Sequence, residues 1–139
     1  MTLDDIQPLL ERNNVVTFTT FRKDARPQMS LVTVGRVGDA LGFTSSRRSA
    51  KHPNLLRDPR CALMVTSPDW LSYAVLDGDA HLIGQHNTDA NVLRDTLRDV
   101  YRARAGKEHP DWSAFDRSMV EQQGSAILLA PSRIYAYGL

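Results

Sequence analysis

Seven consecutive residues, Val15-Val16-Thr17-Phe18-Thr19-Thr20-Phe21, are all β-branched or aromatic. Such side chains suit a pleated, half-buried strand. A polar turn, Arg22 to Pro27, follows, and Gln28 to Val37 reads as a second strand, so the pair predicts a hairpin. The pattern then repeats. Gly38-Asp39 marks a turn before a third strand, Ala40 to Thr44, and Arg60 to Thr66 is an apolar strand closed by Ser67-Pro68-Asp69. Trp70 to Gln85 reads as one long strand bent at Asp77-Gly78-Asp79. Ser125 to Leu129 and Arg133 to Tyr137 supply a last strand pairing, kinked at Pro131. Six or more antiparallel strands need their edges closed, which predicts a closed or nearly closed barrel.

Helices fill the gaps. Thr2 with Asp5 forms a variant capping box before an apolar face of Leu3, Ile6, Leu9 and Leu10. Pro53 to Arg57 is a short helix opened by proline. Val92, Leu93, Thr96, Leu97, Val100 and Tyr101 share a helical face that ends before Gly106, and a further helix runs from about Trp112 to Gln122. No repeat, linker or low-complexity tract divides residues 1–139, so a single domain is expected.

A formal charge of +1 gives no global field to draw in nucleic acid or a membrane surface, so any anion site must be local. One cysteine, Cys61, lies in an apolar run and reads as a buried structural thiol. No signal peptide is read before Thr2, and no apolar stretch has the length of a membrane span, so the cytoplasm is the expected compartment.

The local charge is concentrated in Ser45-Ser46-Arg47-Arg48-Ser49-Ala50-Lys51. Hydroxyls, guanidinium forks and an ammonium are the donors a phosphate needs. The following helix could add its N-terminal dipole. By composition alone, a solvated charged loop is the better explanation of the segment, since charge runs usually face water. Arg26, Pro27 and Gln28 open the second strand. There the Gln28 amide suits a ring edge bearing carbonyl and N–H groups, or the residues simply end a hairpin. Trp70, Tyr73, Trp112 and Tyr135 read as core or dimer-interface residues. His52, His81, His86 and His109 have no metal-ligand spacing with one another or with Cys61. No nucleophile elbow, glycine-rich phosphate loop, dinucleotide fingerprint or paired carboxylate is present, so no catalytic side chain is assigned. Single-stranded nucleic acid would need stacking aromatics beside the basic loop, and none lies closer than Phe43.

The order of these features resembles the split β-barrel family of pyridoxamine-phosphate-oxidase-like flavin and deazaflavin proteins. The resemblance rests on Ala25-Arg26-Pro27-Gln28-Met29-Ser30, on Ser46-Arg47-Arg48-Ser49-Ala50-Lys51, and on Asn54-Leu55-Leu56-Arg57-Asp58-Pro59-Arg60. Ser72-Tyr73-Ala74-Val75 and Gly78 continue it. Leu97, Tyr101, Gly106, His109, Asp111-Trp112 and Met119-Val120 are similar to the actinobacterial branch that uses coenzyme F420.

The resemblance implies a mainly β fold with peripheral helices, a six-stranded antiparallel split β-barrel of the FMN-binding type. It also implies a homodimer with cofactor sites lined by both subunits. Carried over residue by residue, cofactor binding falls on Arg26, Pro27, Gln28 and Ser30 beside the ring. It falls on Ser45, Ser46, Arg47, Ser49 and Lys51 at the phosphate, Lys51 foremost, with Asn54 and Arg60 nearby. The C-terminal signature of pyridoxamine phosphate oxidases is missing, since the chain ends Tyr135-Ala136-Tyr137-Gly138-Leu139, which argues against vitamin B6 chemistry. Arg47, Arg48, Lys51, Arg57 and Arg60 carry more positive charge than one phosphate requires. That surplus favours F420, with its anionic oligoglutamate tail, over FMN. The expected activity is hydride transfer from reduced F420 to a small organic acceptor such as a quinone, an enone or a tetrapyrrole. The alternatives are an FMN-dependent oxidoreductase and a non-catalytic flavin, deazaflavin or tetrapyrrole binder.

Overall fold

The computed structural model describes residues 1–139. Helix α1 (Leu3–Arg12) precedes the hairpin β1 (Val15–Phe21) and β2 (Pro27–Thr33), then β3 (Gly35–Val37) and β4 (Ala40–Ser45). Helix α2 (Lys51–Arg57) leads to β5 (Arg60–Thr66) and β6 (Tyr73–Ile83). Helices α3 (Ala90–Ala105) and α4 (Trp112–Glu121) come next, and β7 (Ser125–Leu129) and β8 (Arg133–Tyr137) close the chain. The strands form a curled antiparallel sheet in the order β2-β1-β5-β6-β7-β4-β3, with β8 on the free side of β6. This is the expected mainly β split barrel with peripheral helices, built from eight strands rather than six.

One local event adds a strand, and a second changes how the last two strands pair. The expected strand Gln28 to Val37 breaks at Val34, whose N–H goes to the Asn14 carbonyl at 2.9 Å. The Asn14 amide in turn donates to the carbonyls of Val34 (2.9 Å) and Arg104 (3.0 Å). A Cβ on Gly35 would lie 2.3 Å from backbone atoms of Ala103 and Arg104, so only glycine lets the chain cross under the end of α3. The last two strands also do not pair with each other. β8 pairs Tyr73 to Asp77, whereas β7 pairs Ala80 to Ile83 and β4. β6 therefore belongs to both halves of the split barrel and changes partners at the expected bend. A Cβ on Gly78 would come within 2.9 Å of the Ala130 carbonyl oxygen and of a Leu129 methyl.

The long strand is shorter than expected. Residues 70–72 remain in the turn, and Trp70, at φ 67°, is exposed rather than in the core. α2 begins at Lys51, two residues before Pro53. The barrel core is centred on the fully buried Phe18, Leu63, Leu76 and Ile127, with Ile6 of α1 packed in and Phe43 edge-on to Phe18 at 4.9 Å. The Thr2 N–H donates to the Asp5 carboxylate at 2.7 Å, as the capping pattern predicts. A second core, Leu93, Leu97, Val100, Phe115 and Ala126, seats α3 and α4. Asp89 caps α3, Gly106 ends it at φ 71°, and Asp111 caps α4.

Candidate cofactor site

The basic loop bridges the end of β4 and the start of α2. It is folded by its own serines. The Ser49 N–H donates to the Ser46 carbonyl at 3.0 Å, and the His52 N–H to the Ser49 carbonyl at 3.1 Å. The Ser46 hydroxyl donates to the Gln122 carbonyl (3.4 Å) and accepts from the Arg48 N–H (3.2 Å). The Arg47 N–H also reaches the Gln122 carbonyl, at 3.2 Å, so the turn after α4 braces the loop. The Ser49 hydroxyl accepts from the Lys51 N–H at 3.3 Å, and the Ser45 hydroxyl donates to the Ser46 carbonyl at 3.4 Å. The first amides of α2 are thus committed to the loop, and the donors left for a ligand are side chains.

Those donors converge on β2. The Lys51 ammonium donates to the Ser30 hydroxyl at 3.2 Å, which joins the loop to the second strand. Two protons of that ammonium remain free, as does the hydroxyl proton of Ser49. Neither the Arg47 nor the Arg48 guanidinium has a hydrogen bond or ion pair, and both residues are exposed. Burial holds the Lys51 pKa below the usual lysine value. An unpaired, partly desolvated ammonium gains most from an anion beside it.

Gln28 and Ser30 lie on the β2 face that looks inward, opposite Thr20 and Phe18 of β1. The Arg22 guanidinium donates to the Gln28 side-chain oxygen at 3.3 Å, leaving the Gln28 NH2 free. Pro27 points to the outer face, and Arg26 is solvent-exposed at the hairpin tip, 4.0 Å from Asp24.

Asn54 and Arg60 do not join the group. Asn54 is buried and donates to the Thr20 hydroxyl at 3.1 Å, tying α2 to β1, while its oxygen accepts from Arg57 at 3.4 Å. Arg60 grips Asp58 with a 2.8 Å contact and stacks over Phe21. Hydrogen bonds from Arg60 hold the Asp58 pKa down. Arg57 also donates to the Phe21 carbonyl at 3.3 Å. Of the five cations counted in the sequence, Arg47, Arg48 and Lys51 are the ones not spent on a carboxylate or a backbone carbonyl.

Two neighbours of the loop carried no usable sequence signal. His52 is buried, edge-on to His86 at a ring separation of 5.9 Å. Burial, then the charges of His86 and Arg47, lower its pKa, so the neutral imidazole is favoured beside the basic loop. Gln122 acts through its backbone carbonyl, which any residue could supply. Cys61 is buried, and desolvation, helped by Asp79 and Asp77, pushes its pKa up to about 12, so the thiol is inert. No group of three or more histidine, cysteine, aspartate or glutamate side chains is placed to hold a metal ion. No helix is long and apolar enough to cross a membrane.

Residues 2–138 match the family described as pyridoxamine 5'-phosphate oxidase. The chain belongs to that family. Solved structures show the same fold. The conserved hypothetical protein Rv2991 of Mycobacterium tuberculosis superposes with a TM-score of 0.78 at 16% identity, over 99% of this chain and 84% of that one. A structure described as an F420 reductase gives 0.63 at 21% identity, over 93% and 94%. A pyridoxamine 5'-phosphate oxidase-related, FMN-binding protein of Nostoc punctiforme gives 0.70 at 18%, over 96% and 82%. That family is one of flavin-binding oxidoreductase type. The donor set fits the phosphate of such a cofactor.

Proposed function

We propose that the chain is an F420-dependent reductase acting on a small organic acceptor. Its carrying observation is the Lys51–Ser30 contact, which sets the phosphate donors beside the inward face of β2. When bound in reduced form, F420 supplies a hydride, and no side-chain nucleophile is needed. Lys51, Ser49, Arg47 and Arg48 would hold the phosphate and the first part of the anionic tail. The free Gln28 NH2 would orient the ring by an acceptor on its edge. Positioning and exclusion of water are the protein's share of the rate. The test is a fluorescence titration of F420 followed by turnover of reduced F420 with quinones and enones. Absence of any deazaflavin quenching or shift contradicts the proposal.

A second reading, an FMN-dependent oxidoreductase, is favoured by one observation. Arg57 and Arg60 are spent on protein partners, and the three remaining cations suffice for a single phosphate. Tight FMN uptake without F420 binding would select it.

We further propose that the unit is a homodimer. One row across the sheet, Leu31-Thr17-Met64-Val75-Tyr135, faces outward, and Met29, Leu31, Tyr135 and Tyr137 are exposed on that face. An isologous pairing would cover this face and place the β8 tyrosines of one copy near the β2 edge of the other. Leu31→Asp should shift the protein from dimer to monomer in sedimentation. An unchanged dimer would contradict this face.

A further inference from the structure

A second cavity lies away from the basic loop, between α3 and α4. Its volume is about 470 Å³, within the roughly 300–1,000 Å³ of small-molecule sites. Leu93, Leu97, Phe115, Met119 and Val120 make most of its wall. Such a wall takes an aliphatic chain rather than a sugar or a phosphate.

Its rim carries two neutral polar residues, Gln85 and Thr88, and two charged ones, Arg94 and Asp116. Asp116 lines the cavity, and each of its carboxylate oxygens accepts from Arg98, one from Nε at 3.1 Å and the other from Nη2. That ion pair holds the Asp116 pKa down, so the group stays charged and matched. Arg94 also lines the cavity and is bound to Asp95 through Nε alone, at 3.1 Å. Both Nη groups of Arg94 remain free to donate. The charged rim therefore offers a guanidinium with both Nη groups free while the Asp116 charge is already balanced by Arg98, which favours a carboxylate over an alcohol or an amine.

We propose that the α3–α4 cavity is a binding site for a medium-chain aliphatic carboxylate, with its tail among Leu93, Leu97, Phe115 and Met119 and its head on Arg94. This site shares no side chain with the Ser45–Lys51 loop, so it stands whether the cofactor is F420, FMN or neither. One structural link joins them. Gly124 lines the cavity, and Gln122, two residues earlier, braces Ser46 and Arg47.

The test uses decanoate, decanol and decylamine as probes, each below its aggregation concentration. Binding is followed by calorimetry and by the methyl resonance of Met119. Decanoate should bind saturably and move that resonance, with decanol and decylamine weaker by at least about tenfold. Arg94→Gln should erase the preference for decanoate over decanol. Val120 is 67% exposed at the cavity edge, so Val120→Trp should fold normally and block all three probes. Equal affinity for decanoate and decanol would overturn the assignment, as would binding unaffected by Val120→Trp or no binding up to the solubility limit.

Discussion

Replacing Asn54 by Leu separates a structural role from a cofactor role. The Asn54 amide donates to a Thr20 hydroxyl whose residue is 0% exposed. Leu keeps the branched shape of the Asn side chain but ends in bulkier methyl groups, and the Thr20 hydroxyl loses its partner. A hydrogen bond of this kind contributes about 1 kcal/mol, and an orphaned buried hydroxyl costs about 1–3 kcal/mol. The expected loss is therefore about 2 kcal/mol. With a urea dependence of about 2 kcal/mol/M, the unfolding midpoint should fall by roughly 1 M. Adding Thr20→Val removes the orphan, and the double variant should recover most of the loss. Cofactor affinity should follow the same course and return in the double variant. If the double variant stays as unstable as Asn54→Leu, the Asn54–Thr20 bond is not what holds α2 to β1. If stability returns but affinity does not, Asn54 touches the cofactor directly and the inward placement is wrong.

Two further outcomes follow from shifted acidities. The Lys51 pKa is lowered in the fold, so keeping its charge costs stability below that pKa, and the cost fades as pH rises through it. Lys51→Met should therefore stabilise the protein at neutral pH, by an amount that shrinks towards pH 10.5, the ordinary lysine value. Denaturant melts at pH 7 and above pH 9 check this, and a destabilised variant at pH 7 would contradict it. Cys61, with its pKa near 12, should react with a thiol reagent at pH 8 only at the rate of unfolding. Fast labelling of the native protein would show that the thiol is not sealed.

Much of the barrel was legible because strand period, turn residues and apolar runs agree with one another along the chain. The β1 and β5 boundaries follow the sequence residue by residue. The break at Val34 and Gly35 was not legible. The run of β-branched residues continues through it, and the cause lies seventy residues away at the end of α3. The partner change within β6 was visible only as a bend, because a glycine announces close approach without naming what approaches. At the site, the basic loop stood out by composition. Which of its cations are free could not be read. Asp58 is two residues from Arg60 and Thr20 is 34 residues from Asn54, and only folding decides that both pairs meet. The bracing by Gln122 runs through a backbone carbonyl and leaves no mark in side-chain chemistry.

We propose that the loop ending in Lys51 holds the phosphate of a flavin-type cofactor. Titrating F420 and FMN into wild-type protein and into Lys51→Ala tests it most directly. At least one cofactor should bind the wild type, and Lys51→Ala should weaken that cofactor by at least about tenfold while the unfolding midpoint is kept or raised. Equal affinity in the two proteins would remove Lys51 from the site and contradict the account.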